Sequence, residues 1–104
     1  MIALTHPMFE ELWFGAGEPV LIYFTAPWCG PCRRLDKEAI EAVAAECGLQ
    51  TYICDLTVND YTAGFCGIRS IPTFMIQEPG KVIGKLTNSD TDTVCKWILS
   101  LKSD

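Results

Sequence analysis

Two rhythms of apolar and polar residues run along this chain. Residues 20–25, Val-Leu-Ile-Tyr-Phe-Thr, are apolar or β-branched without a charged break. Such a run predicts a strand buried on both faces, which requires helices on each side of its sheet. Over 33–47 the spacing changes. Leu35, Ala39, Ile40, Val43, Ala44 and Cys47 recur at helical intervals, and Gly48 supplies a stop. Residues 50–56 return to strand character. Strand, helix and strand form a βαβ unit, whose strands are expected to lie parallel with a right-handed crossover.

The flanking segments extend this pattern. Thr5 is placed to cap a helix with Phe9, Leu12 and Trp13 on one face, ended by Gly15, Gly17 and Pro19. A polar connection at 57–70 has room for a short helix over 60–65. Strands are predicted at 73–78 and 81–86, joined by the turn pair Pro79-Gly80. Ser89-Asp90-Thr91-Asp92 has the form of a capping box and opens a last helix with Val94, Ile98 and Leu101 on one face. The expected class is α/β, a central mixed sheet flanked by helices on both faces. A length of 104 residues suits a single domain over 1–104.

Composition narrows the possible functions. With 49% hydrophobic residues a packed globule is expected. A net charge of −5 argues against a nucleic-acid or anionic-membrane surface, since both need clustered Lys and Arg. No apolar run approaches the roughly 20 residues of a membrane span. The opening Met-Ile-Ala-Leu-Thr-His-Pro has neither a basic region nor an apolar stretch of signal-peptide length, so a cytoplasmic protein is expected.

Six cysteines remain to be explained. In a reducing compartment a CxxC points to redox chemistry or to a metal rather than to a disulfide scaffold. Zinc needs four ligands, and the chain has no second CxxC and no histidine pair. Trp28-Cys29-Gly30-Pro31-Cys32 lies where the buried strand hands over to the predicted helix. A thiolate at a helix start meets unpartnered N–H groups, which lower its pKa. Cys29 is therefore expected to attack a substrate disulfide. Cys32, less accessible one turn on, resolves the mixed disulfide. Pro31 suits an early helical position, where a missing N–H costs nothing.

These residues resemble a known family. Thr25-Ala26-Pro27-Trp28-Cys29-Gly30-Pro31-Cys32 is similar to the active-site turn of thioredoxins, and Gly67-Ile68-Arg69-Ser70-Ile71-Pro72-Thr73 to their second signature. The resemblance spans nearly the whole chain and implies the thioredoxin fold. It implies a protein-disulfide reductase that cycles between a Cys29/Cys32 dithiol and disulfide. Its partners would be disulfide-containing clients and a thioredoxin reductase, with no cofactor or metal, and it would act as a monomer. Trp28, Gly30, Pro31, Ile71 and Pro72 would face the client. Pro72 would be cis, leaving the Ile71 backbone free to pair with an extended client segment. The competing functions are a thioredoxin-fold binding module with dispensable thiols and a more oxidising, isomerase-like protein.

The chain departs from the family in places. Tyr23 stands where thioredoxins usually carry a buried aspartate, and residues 51–54 lack the lysine that often pairs with it. A charge-free site is expected, because either charge alone would be costly to bury. Lys37 replaces a common kinking proline, so a straighter helix is expected. Asn88 replaces a loop glycine and could keep its left-handed geometry. Cys47, Cys54, Cys66 and Cys95 read as packing residues, with Cys66, on an exposed segment, the best candidate for a regulatory thiol. His6, Arg33, Arg34 and Arg69 read as solvated, and Trp13 and Trp97 as packing residues.

Overall fold

The structure, a computed structural model, describes residues 1–102. The chain runs β1 (Ile2–Ala3), α1 (His6–Phe14), β2 (Val20–Thr25), a four-residue 3-10 turn (Pro31–Arg34), α2 (Lys37–Glu46), β3 (Gln50–Asp55), α3 (Asp60–Phe65), β4 (Thr73–Glu78), β5 (Lys81–Thr87) and α4 (Thr91–Lys102). The sheet order is β1-β3-β2-β4-β5. β1, β3 and β2 are parallel, whereas β4 runs antiparallel to β2 and β5. This is the mixed α/β sheet that the hydrophobic pattern implies. No helix among the described residues is long and apolar enough to cross a membrane.

β2 is central and alternates its side chains between two cores. Leu21 and Tyr23 pack with Ile40, Ala44, Val94 and Ile98 of α2 and α4. Val20, Ile22 and Phe24 pack with Phe9 and Ala63 of α1 and α3. Both faces are covered, so the strand has no polar side. Thr5 caps α1 by accepting from the Met8 N–H at 3.3 Å. Gly48 follows α2 at φ 75°, and Gly80 turns the β4–β5 hairpin at φ 72°, conformations that a Cβ would strain.

Several expectations need correction. The helix expected over 33–47 breaks in two. Leu35 is extended, with φ −81° and ψ 135°. Asp36 caps α2 by accepting from the Ala39 N–H at 3.1 Å, and its own N–H donates to Thr91 Oγ1 at 2.9 Å. A single straight helix through Lys37 is therefore excluded. β1 pairs only two residues with β3, too few for a periodic signal. The cap of α4 is Asp90, not Ser89: Asp90 accepts from the Thr93 N–H at 3.0 Å and the Thr93 hydroxyl at 2.6 Å, which hold its carboxyl below the ordinary value. Asn88 does not adopt left-handed geometry. It accepts from the Asp90 N–H at 2.8 Å instead.

His6 is half-buried rather than solvated. Its Nδ1 lies 2.8 Å from Thr62 Oγ1, and its ring centroid lies 4.4 Å from that of Tyr61. Cys66 is also half-buried, packed against the core that holds Cys54. Burial pushes the Cys54 thiol up to about 12 and the Cys66 thiol up to about 11, from an ordinary 9.0.

These shifts predict alkaline weakening. Below pH 9 both thiols keep their protons whether the chain is folded or unfolded, so their contribution is fully present. Above it the unfolded chain releases protons that the fold retains, and stability falls on the order of 1 kcal/mol per pH unit for each thiol until the folded groups ionise. Urea midpoints should decline from pH 9 to 11, less steeply in Cys54→Ala. Equal slopes in the two proteins would contradict this.

Candidate active site

β2 ends at Thr25, and the next residues form a turn closed by the Cys29 N–H donating to the Ala26 carbonyl at 3.1 Å. The chain then tightens into the 3-10 turn, with the Arg33 N–H on Gly30 O at 3.1 Å and the Leu35 N–H on Cys32 O at 3.2 Å. Pro31 occupies its first residue, where no N–H is needed. This turn brings the Cys29 and Cys32 Cα atoms to 5.4 Å, and the two sulfurs are joined in a disulfide.

The support for Cys29 differs from the expected long-helix start. One N–H reaches its sulfur: Cys32 N donates to Cys29 Sγ at 3.2 Å. A donor at this spot favours a thiolate once the bond is reduced. Exposure does not rank the pair as expected, since Cys29 is 3% and Cys32 8% exposed. The hydrogen bond therefore separates their reactivities. Limiting iodoacetamide on the reduced protein should label Cys29 first at neutral pH, read by peptide mass spectrometry. Preferential labelling of Cys32 would reverse the assignment.

The sheet brings the second signature to the same end. Thr73 pairs with Phe24, so Pro72 lies alongside the end of β2 where the cysteine turn begins. The Ile71–Pro72 peptide is cis. Pro72 is buried, Ile71 is half-buried, and the Thr73 hydroxyl donates to Ser70 O at 2.7 Å. Trp28 is 68% exposed, and Gly30 and Pro31 are exposed beside it. Arg33 donates to Pro27 O at 3.3 Å, bracing the turn, while Arg34 and Arg69 are exposed.

A cleft of about 510 Å³ opens on the other side of the disulfide. Tyr23, Cys29, Cys32, Arg33, Lys37 and Asp55 all line it. Tyr23 is 1% exposed and stacks on Phe74 with centroids 4.8 Å apart. Burial raises the Tyr23 phenol above its ordinary value, against a smaller opposing effect of a hydrogen bond with Thr25. The phenol is therefore neutral at physiological pH. The site is not charge-free. Lys37 enters from the start of α2 and Asp55 from the end of β3, charges that the sequence pattern did not place at the site. Their signal was available: ligands and reacting groups gather at the carboxyl ends of parallel strands, and Asp55 ends β3 beside Thr25 of β2. Among the described residues no group of three or more His, Cys, Asp or Glu is arranged to hold a metal.

Comparison with known proteins agrees with this geometry. A family model described as Thioredoxin matches residues 1–100. A thioredoxin of Porphyra purpurea is 39% identical over 87 residues, covering 77% of this chain and 80% of that protein. Thioredoxin 2 of Chlorobaculum tepidum is 37% identical over 87 residues, covering 82% and 79%. The crystal structure of Malassezia sympodialis thioredoxin is similar with a TM-score of 0.83 at 25% identity, over 97% of this chain and 92% of that one.

Proposed function

Because the chain belongs to the thioredoxin family of thiol–disulfide oxidoreductases, we propose that it reduces protein disulfides through a Cys29/Cys32 cycle. The observation that carries this reading is the Cys29–Cys32 disulfide at the end of the central strand, with an N–H aimed at Cys29 Sγ.

The cycle transfers two electrons. The Cys29 thiolate attacks one sulfur of a client disulfide. A Cys29–client bond forms, the client bond breaks, and the departing client thiolate takes a proton from solvent. Cys32 loses its proton and attacks Cys29 Sγ. The Cys29–Cys32 bond forms, the second client thiol leaves, and the protein ends oxidised. Intramolecular attack across a 5.4 Å Cα span needs no encounter, which makes the second step fast.

Trp28, Gly30 and Pro31 on one side, and Ile71 and Pro72 on the other, form the client-facing surface in this proposal. The exposed Trp28 ring offers apolar contact, and the Ile71 backbone offers strand-like pairing to an extended client segment. A thioredoxin reductase recharges the pair, and the protein works as a monomer. A redox titration of Cys29 and Cys32, followed by turnover with thioredoxin reductase and NADPH, tests the reading. A reversible two-electron couple and sustained NADPH consumption are expected. A pair that stays oxidised in the presence of the reductase would refute it.

A further inference from the structure

The proposed cycle leaves one proton without a destination. Cys32 must ionise before it attacks, and Tyr23, neutral and buried beside it, cannot act as the base. We propose that Asp55 takes this proton, acting through solvent in the cleft that it shares with both sulfurs. The inference rests on the reductase reading and extends it to the second chemical step.

Asp55 is the one carboxylate among the residues lining the cleft. It closes β3 opposite Thr25, the last residue of β2 before the cysteine turn. One of its oxygens is tethered: Oδ1 accepts from the Thr57 N–H at 2.8 Å and the Thr57 hydroxyl at 2.7 Å. That leaves Oδ2 with no partner among the described residues. A half-buried carboxylate held by one oxygen, in a residue that lines the cleft with both cysteines, is suited to accept a proton by way of water.

The other titratable and charged groups at the cleft fit this role. Tyr23 of β2 stays neutral. Arg33 of the 3-10 turn and Lys37 of α2 are cations that favour a thiolate on either cysteine. Cys54, beside Asp55 on β3, is held protonated up to about 12. Among the described residues that line the cleft, no second carboxylate or imidazole competes. In the step itself, the Cys32 S–H proton passes through water to Asp55. The Cys32 thiolate attacks Cys29 Sγ, the Cys29–client bond breaks, and the Cys29–Cys32 bond forms. The client thiolate leaves, and the Asp55 proton returns to it or to solvent.

Stopped-flow mixing of the reduced protein with limiting 5,5′-dithiobis(2-nitrobenzoate) separates the steps. The first release of chromophore reports attack by Cys29. The second reports ring closure by Cys32 and is defined by its absence in Cys32→Ser. In Asp55→Asn, which keeps an acceptor for Thr57, the second phase should slow roughly tenfold at pH 7, below the range of a directly bonded base because water intervenes. It should rejoin wild type at high pH, where Cys32 ionises unaided, with the first phase unchanged. Asp55→Glu should keep most of the wild-type second phase. Superimposable profiles for wild type and Asp55→Asn would overturn the proposal. So would equal losses in Asn and Glu at every pH, which mark a structural role. If Asp55→Asn does not fold, Asp55→Ala takes its place, and a second phase at pH 7 equal to that of wild type overturns the proposal. The reductase reading fails separately, if the first phase survives Cys29→Ser.

Discussion

Replacing Cys29 by Ser should reduce insulin-disulfide cleavage to the uncatalysed background, while replacing Cys32 by Ser should stall the protein as a covalent adduct. The asymmetry follows from the turn. Only Cys29 Sγ receives the Cys32 N–H, at 3.2 Å, and a serine hydroxyl there is too weak an acid to attack sulfur at neutral pH. Without Cys29 no mixed disulfide forms, and Cys32 has nothing to resolve. Without Cys32 the first attack proceeds, but the intramolecular displacement is lost, and release waits for an external thiol. Precipitation of the insulin B chain with dithiothreitol measures turnover, and intact-protein mass measures the adduct. Activity retained by Cys29→Ser would point to the binding-module alternative or to another cysteine. Adduct formation by Cys29→Ser but not by Cys32→Ser would exchange their roles.

The second large effect is expected from Tyr23→Asp. Tyr23 fills the core between α2 and α4, stacked on Phe74, and is 1% exposed. Removing the ring leaves a cavity and puts a carboxyl into desolvated surroundings, at a cost of about 3–5 kcal/mol by comparison with truncations of buried aromatics. The urea midpoint should drop accordingly. Chemistry should move the other way at the second step. A carboxyl lining the cleft with Cys29 and Cys32 is a proton acceptor whose own pKa is raised by burial, so resolution near neutral pH should quicken. Its negative charge should also raise the Cys29 pKa, slowing the first attack at pH 7. Tyr23→Phe keeps the ring and should change neither rate. If Tyr23→Asp leaves both the Cys29 titration and the resolution rate unaltered, Tyr23 does not govern the site's electrostatics.

What the sequence revealed, and what it hid, follows from range. β2 and β4 were legible because their signals are local, an unbroken apolar run at 20–25 and a strand closed by Pro79-Gly80, and the polar connection at 57–70 left room for the short α3. The cysteine turn and cis Pro72 were legible as motifs. The break at Leu35 was not, because Asp36 binds Thr91, 55 residues away, and no periodicity within 33–47 registers that partner. His6 was misread for the same reason, since Thr62 and Tyr61 reach it from α3. The charges of the cleft were hidden because Lys37 belongs to α2 and Asp55 to β3, elements whose ends meet only at the folded cleft.

The hydrogen bond from Asp36 to Thr91 also orders events during synthesis. A nascent chain that has emerged only through β5 already carries both active-site cysteines, yet it lacks Thr91 and the Val94 and Ile98 side chains packed behind Tyr23. The thiols are then present on a turn whose far anchor and rear wall are still inside the ribosome. Oxidation at that stage meets an unbraced loop and five emerged cysteines, Cys95 of α4 being the sixth and still to come. The residues of α4, translated after the cysteine turn, are thus the ones that complete its setting.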